Sequence, residues 1–265
     1  MDGVATDFSV GKDDLHITDS TGNFVDPVSQ PGTNVSTTSD STSDALEVPA
    51  YLYETYYWSY LNPRNVSWLD REIVVKLILW GQHNKLRSVA FSEIKPGSSV
   101  LQTAAVYGNF SKVLAKKIGP DGELKLTDVA PIQVANTKIK LADYPQAEVC
   151  LADAATMTDK AYDVVLCYLL LHEVPDDYKL RVMDNLLHHM KPDGKLVIVD
   201  YHKPHWAHPL KLITSLVFDT LEPFAKTLWH KPIRALASEP ERYDWQQDTF
   251  FGGLFQRVVV QHKSK

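Results

Sequence analysis

The stretch over residues 98–153 constrains the fold more than any other part of the chain. It reads SSVLQTAAVYGNFSKVLAKKIGPDGELKLTDVAPIQVANTKIKLADYPQAEVCLAD. A short buried strand is predicted over 100–103, and a turn through Tyr107-Gly108-Asn109 leads into a helix over about 110–117. A second strand, 123–127, ends in Asp128 and is followed by Pro131, a favourable first-turn residue for the next helix. A third strand, 147–151, leads to Asp153. Strand, helix and strand with a carboxylate after the second strand make a nucleotide-binding unit, the carboxylate standing where a ribose would lie. The usual glycines are missing. Where such loops read acid-x-Gly-x-Gly-x-Gly, this chain reads Gln102-Thr103-Ala104-Ala105-Val106-Tyr107-Gly108, and only the last glycine remains.

With 265 residues the chain can bury one substantial core, so one α/β domain with extensions is the natural division. A net charge of -6 argues against nonspecific binding of nucleic acid. Cys150 and Cys167 both fall in predicted parallel strands and read as small core residues more readily than as a disulfide or metal pair. The opening residues lack the basic region and apolar run of a secretory signal, and no stretch has the length and apolarity of a membrane span. Residues 1–46 are rich in Ser, Thr, Asp and Gly, carry Lys12 as their only Lys or Arg, and are expected to be a disordered tail.

Residues 47–97 are expected to form a helical cap. YLYETYYWSYLNP puts Tyr53, Tyr56, Tyr57 and Tyr60 on one helical face before Pro63 interrupts. Ser67 is placed to cap a second helix reaching about Trp80, whose run IVVKLILW is apolar almost all round. Such a helix either lies over the sheet as core or closes over an apolar substrate.

Beyond Asp153, residues 163–167 form a fourth predicted strand that runs into Tyr168-Leu169-Leu170-Leu171-His172-Glu173-Val174-Pro175-Asp176. A helix over about 177–190 is expected to break at Lys191-Pro192-Asp193-Gly194, and a fifth strand, 195–199, delivers Asp200-Tyr201-His202-Lys203-Pro204. The ending DTFFGGLFQRVVVQHK reads as two strands around Gly252-Gly253. Parallel strands with crossover helices, closed by an antiparallel hairpin, predict a class I methyltransferase-like, Rossmann-type α/β fold. Its mostly parallel seven-stranded sheet would occupy residues 98–265 and bind S-adenosylmethionine. Sites in such sheets open at the carboxyl ends of the strands, which gathers Tyr107, Asp128, Asp153, His172, Glu173, Asp200 and His202 around one crevice.

The segments LQTAAVYG, TDVAPIQVAN, LLLHEVPD, KPDGKLVIVDYHKP, LEPFAKTLW and FFGGLFQRVVV resemble the rhodoquinone biosynthesis proteins of the RquA family over about residues 50–263. The glycine-depleted VYG loop is itself part of that pattern. The resemblance implies an enzyme of anaerobic respiration that converts ubiquinone into rhodoquinone by replacing a ring methoxy group with an amino group. S-adenosylmethionine would give nitrogen, with Mn2+ assisting. It further implies peripheral contact with a quinone-bearing respiratory membrane, either the matrix side of the mitochondrial inner membrane or the cytoplasmic side of a bacterial membrane. A conventional quinone methyltransferase and a non-catalytic quinone- or lipid-binding protein are the alternatives.

On this reading Asp128, with Val129 beside it, accepts from the ribose hydroxyls, while Asp153 and Ala154 meet the adenine. Gln102 either bonds the amino-acid portion of the cofactor or satisfies a strand end. Ala104 and Val106 fill space that glycines would leave near Gly108, which suits a displaced methionine moiety and chemistry at its nitrogen. Tyr107 borders the reacting amino group or packs on the cofactor. His172, Glu173, Asp200 and His202 form the candidate metal set, oxygen and imidazole ligands being suited to manganese, with His202 the preferred base for the ammonium proton. The structural readings beside these are Asp128 as a surface or helix-capping aspartate, Asp153 as a turn residue, His172 as a satisfied core residue and Asp200 as a loop cap. His205 and His208 are weaker candidates, in a loop that Trp206 and Pro209 mark as interfacial. Over 210–229, Leu210, Ile213, Val217, Leu221, Phe224 and Leu228 follow helical spacing. Lys211, Thr214, Ser215, Asp219 and Glu222 lie on a polar side, and Pro223 is expected to kink the helix. With flanking 205–235 this reads as an insert facing a polyprenyl substrate or the membrane, with Lys211, Lys226 and Lys231 at the headgroups.

Overall fold

A computed structural model describes residues 48–263, so the expected tail lies outside the described residues. The sheet comprises β1 (Ser99–Thr103), β2 (Glu123–Asp128), β3 (Ala147–Leu151), β4 (Tyr162–Tyr168), β5 (Met190–Tyr201), β6 (Tyr243–Phe250) and β7 (Phe255–His262). Its order is β3-β2-β1-β4-β5-β7-β6; the first five strands are parallel, and β7 runs antiparallel to both β5 and β6. This is the expected class I methyltransferase-like sheet. The central strands are apolar on both faces because helices cover both. Along β4, Val164 and Leu166 enter one core while Val165 and Cys167 enter the other, the alternation that a pleated strand imposes.

The helices are α1 (Ala50–Thr55), α2 (Pro63–Leu69), α3 (Glu72–Ile78), α4 (His83–Ala90), α5 (Phe110–Ile118), α6 (Pro131–Leu141), α7 (Asp176–His188), α8 (Lys211–Thr220) and α9 (Thr227–His230). None of the described helices is long and apolar enough to cross a membrane. Pro131 opens α6 as expected. Residues 191–194 do not break the chain after α7 but begin β5, with a register shift against β4. A Cβ on Gly194 would lie 2.7 Å from the Tyr162 carbonyl oxygen, so the close pairing there requires glycine.

Five local expectations are corrected. The helix expected from Ser67 to Trp80 is two helices. Asn62 caps the first through its Oδ1, 3.1 Å from the Arg64 amide, and Ser67 lies inside it. The four tyrosines do not share a face: α1 ends at Thr55 and a wider turn, Tyr57–Leu61, follows. Tyr56 therefore points inward while Tyr53 and Tyr57 are exposed. Pro223 ends helix α8 rather than kinking it, because a proline disfavours helical geometry at the residue before it. The faces of α8 differ from the expectation as well. Thr214 is buried, its hydroxyl donating to the Leu210 carbonyl at 2.9 Å, whereas Ile213 is exposed. Of the cysteines, both free, Cys167 is core, but Cys150 is half-buried on edge strand β3 with its thiol 3.0 Å from Glu148 Oε1.

At the carboxyl ends of adjacent strands β1 and β4, Ala104 (φ 66°) and Leu169 (φ 52°) adopt left-handed backbone without being glycine. Their amides donate to the Thr127 and Val199 carbonyls, each at 2.8 Å, which holds the chain in a conformation that costs about 1–2 kcal/mol per residue. Lys179 fixes another junction. Fully buried, its ammonium donates to the Val174 carbonyl (2.8 Å), the Phe224 carbonyl (2.9 Å) and Asp176 Oδ1 (2.9 Å), tying α7 to the segment after α8. Lys179→Met strands two carbonyls and is expected to lower unfolding free energy by about 3 kcal/mol. A urea midpoint unchanged at constant slope would show that the tie contributes nothing.

Candidate active site

The strand ends floor one cavity of about 500 Å³, walled by the N-terminal helices, α8 and the segment after it. Of the expected site residues, Ala104, Val106, Tyr107, Asp128, Val129, Asp153, Ala154, His172 and Glu173 line it. Gln102 stands behind the loop: its amide donates to the Ala104 carbonyl at 3.0 Å and its oxygen accepts from the Ser111 hydroxyl at 3.1 Å, which is the strand-end role. Gly108 (φ 78°) donates its amide to Asp70 Oδ1 at 2.9 Å, fastening the loop to the turn between α2 and α3.

Asp128 is the polar pivot of the nucleotide end. Its Oδ2 accepts from the Ala105 amide at 2.7 Å and its Oδ1 from the Ala130 amide at 2.8 Å. Burial nevertheless lifts its carboxyl to about 6. Asp153 accepts from the Ala155 amide at 2.8 Å and from the Tyr178 hydroxyl, and Tyr178 meets Tyr51 edge-on at 5.4 Å. Tyr107 donates to the Ser59 carbonyl, accepts from Gln133 at 2.9 Å, and stacks on Tyr60 at 5.7 Å and 8°. The cap residues thus lie directly over the loop. These groups fit S-adenosylmethionine: a cavity-wall carboxylate at each of two strand ends, aromatic cover, and the buried Tyr168 hydroxyl, which has no partner among the described residues and also lines the cavity.

The second polar centre surrounds His172. Asp200, with no exposure, accepts from the amides of Leu171 (2.9 Å) and Tyr201 (2.7 Å) and from His172 Nδ1 (2.8 Å). His172 Nε2 faces Glu173 Oε1 at 3.7 Å, and the Tyr60 hydroxyl donates to the same carboxyl. Glu222, in the cavity wall, accepts from the Tyr56 hydroxyl at 2.7 Å. Burial works against charging His172, but the Asp200 carboxylate outweighs it and raises the imidazole to about 9. Burial raises Glu173 and Glu222, the charged His172 opposing it in both.

The four-residue metal set is not assembled. Asp200 spends both oxygens on backbone amides and His172, and His202 lies off the cavity wall with Nδ1 2.9 Å from the Gly253 carbonyl oxygen. No group of three or more His, Cys, Asp or Glu suited to a metal occurs among the described residues. The four residues named from the sequence therefore do not fit manganese. His202 also falls away as the base. Glu222, Tyr60 and Tyr168 are the groups the sequence reading missed; Pro223 immediately after Glu222 was the available signal that this residue leaves the helix.

Residues 100–194 match the family described as methyltransferase domain. The chain is similar to the ubiquinone/menaquinone biosynthesis C-methyltransferase UbiE of Shewanella sp. (strain W3-18-1), 28% identical over 144 residues that make up 50% of this chain and 55% of that protein. It is also similar to the demethylmenaquinone methyltransferase of Bacillus cytotoxicus, 23% identical over 184 residues, 67% of this chain and 73% of that protein. The alignment spans about half the length of the UbiE relatives. In three dimensions it resembles the mitomycin 7-O-methyltransferase MmcR with a TM-score of 0.61 at 18% identity, covering 76% of this chain and 58% of that one. The pyocyanin biosynthetic protein PhzM superposes with a TM-score of 0.56 at 12% identity, over 75% and 61%.

Two measurements test the site. Asp128 carries its charge only above about pH 6, so affinity for S-adenosylhomocysteine is expected to fall as pH drops through 6. In Asp128→Asn the affinity is expected to be weaker and that pH dependence absent, both read by calorimetry. Because His172 is raised, its contribution to stability is complete below its unfolded value of about 6.5. That contribution is lost as pH rises through about 9. Asp200→Asn removes the cause, so the fall in stability over that window is expected to shrink and the NMR titration of His172 to move downward. A titration unmoved in D200N would dismiss the pairing as its source.

Proposed function

We propose that this chain converts ubiquinone into rhodoquinone, exchanging a ring methoxy group for an amino group whose nitrogen comes from S-adenosylmethionine. The observation that carries the reading is the acid–base pair in the cavity wall. Methyl transfer to a quinone ring requires a proton acceptor, but nitrogen transfer requires an acceptor for the ammonium proton and a donor for the departing methoxy oxygen. Glu173 and His172 present both, 3.7 Å apart. When bound, S-adenosylmethionine supplies the amino nitrogen.

Glu173 takes the ammonium proton, its basicity sustained by burial and its orientation by the Tyr60 hydroxyl. His172, kept protonated by Asp200, donates from Nε2 to the ring carbonyl and then to the leaving oxygen, so that methanol departs as a neutral molecule, and the second proton of the attacking nitrogen restores the imidazolium. This exchange leaves the ring bonded to the donor nitrogen, whose bond to the amino-acid carbon breaks in a later step. Glu222 holds a second carboxyl against the same imidazolium. Ala104 supports the placement of the donor: its methyl group lines the cavity where a glycine would leave room, which favours a methionine moiety displaced toward its nitrogen. The resemblance of LQTAAVYG and LLLHEVPD to rhodoquinone biosynthesis proteins supports the same chemistry, and no step is routed through a metal.

A conventional quinone methyltransferase is the second reading, favoured by the similarity to proteins named as quinone C-methyltransferases. Mass spectrometry separates the two. With short-chain ubiquinone and S-adenosylmethionine carrying nitrogen-15 at the amino group and carbon-13 at the methyl, the product is expected to lose methoxy and gain nitrogen-15. Gain of carbon-13 establishes the second reading instead, and an aminated product without label overturns the assigned donor. Glu173→Gln is expected to lower turnover by about 10²-fold or more while cofactor affinity stays within about twofold.

A further inference from the structure

The two helices that wall the cavity also carry apolar side chains on their outer faces. On α3, Ile73 and Leu77 are four residues apart and 67% and 72% exposed; on α8, Leu212 and Leu216 have the same spacing and are 84% and 65% exposed. Leu77, Ile78, Leu221 and Trp58 are exposed and line the cavity as well, so they form its rim. The apolar lining therefore continues over the rim onto the outside of both helices. Single exposed leucines are ordinary, but an apolar collar around one mouth is not.

Charge points to what covers it. Arg64, Arg71, Lys203 and Lys211 flank these helices, and among the described residues none of them has a carboxylate partner within ion-pair distance. The acids of the same segments are engaged: Asp70 with Lys140, Glu72 with Lys76, Asp219 with Lys226, and Glu222 with the Tyr56 hydroxyl. The net charge of -6 does not belong to this body. Residues 1–46 hold eight of the 33 Asp and Glu and one of the 27 Lys and Arg, leaving 25 acidic and 26 basic residues in 47–265. Exposed apolar side chains on helices that are flanked in the chain by unpaired cations suit an interface of anionic headgroups over hydrocarbon.

We infer that the outer faces of α3 and α8 dock on an anionic lipid bilayer and seat the cavity mouth against it, so that a lipid-borne quinone enters without crossing water. The surface follows from the exposed residues and the charges, while its purpose rests on the quinone reading above. Leu and Ile side chains would enter the acyl boundary, the arginine and lysine stems lying along them with their charges at the headgroups.

Flotation of the full chain with extruded vesicles tests this. With phosphatidylcholine mixed with phosphatidylglycerol the protein is expected to rise with the vesicles, less so at high salt and less with phosphatidylcholine alone. Leu212→Glu with Leu216→Glu, and separately Arg71→Glu with Lys211→Glu, are expected to cut the bound fraction about tenfold or more while the circular dichroism is unchanged. Because Leu212 and Leu216 lie outside the cavity wall, L212E/L216E is expected to keep wild-type turnover of a water-soluble short-chain quinone and to lose turnover of a long-chain quinone held in vesicles. Wild-type protein that stays at the bottom of the gradient overturns the surface. So does a wild-type dimer that L212E/L216E converts to monomer with no change in vesicle binding. Flotation by a protein that turns over no quinone supports the surface and overturns the reaction.

Discussion

The site depends on one buried carboxylate. Asp200 ends the longest parallel strand with no exposure, and a charge in that position is tolerable only because donors surround it. Its amide donors come from the turn after β4 and from Tyr201 itself, so the same contacts that satisfy it also fix the loop that carries His172. The imidazole is then oriented from behind, with Tyr201 edge-on at 4.8 Å, and only Nε2 remains to face the cavity. Protonation of His172 and the position of Glu173 next to it follow from that single anchoring.

The nucleotide end is built by a different device. There backbone strain is added to the burial of Asp128: Ala104 and Leu169 turn left-handed where two adjacent parallel strands stop, and neighbouring carbonyls hold them. Gln102 and Asp128 brace the same loop from opposite sides, one at the Ala104 carbonyl and the other at the Ala105 amide. A loop stripped of glycines keeps its course because the sheet beneath it dictates where the chain can go.

Most of the sheet was legible in the sequence because runs such as VVLC and KLVIV are short, apolar and β-branched, bounded by polar turns. Asp128 and Asp153 were legible for the same reason, since a strand end names its own crevice. The roof was not. YLYETYYWSYL has helical spacing, but a wide turn after Thr55 rotates the later tyrosines, and periodicity does not register a change of pitch. His202 looked equivalent to His172 by its distance from a strand end, yet the antiparallel hairpin draws its ring to Gly253. Glu222 was assigned to a polar helical face, and the proline that frees it from the helix turns it into the wall. Long-range pairing decided the second of these, while a local change of pitch and a local proline decided the other two, and helical spacing registers none of the three.

The contact of Tyr60 with Glu173 has a consequence for how the cavity fills. The carboxyl is raised because the cap keeps water from it, and the cap reaches it through that phenol. Any opening that wets Glu173 must lower its pKa toward the ordinary value and release its proton to solvent, and reclosure must take one up. Admission of a substrate and the charge of the chamber are therefore one event: the door sets the acidity of the room each time it shuts, and the proton that closure draws onto Glu173 is the one the bound ammonium group has to lose.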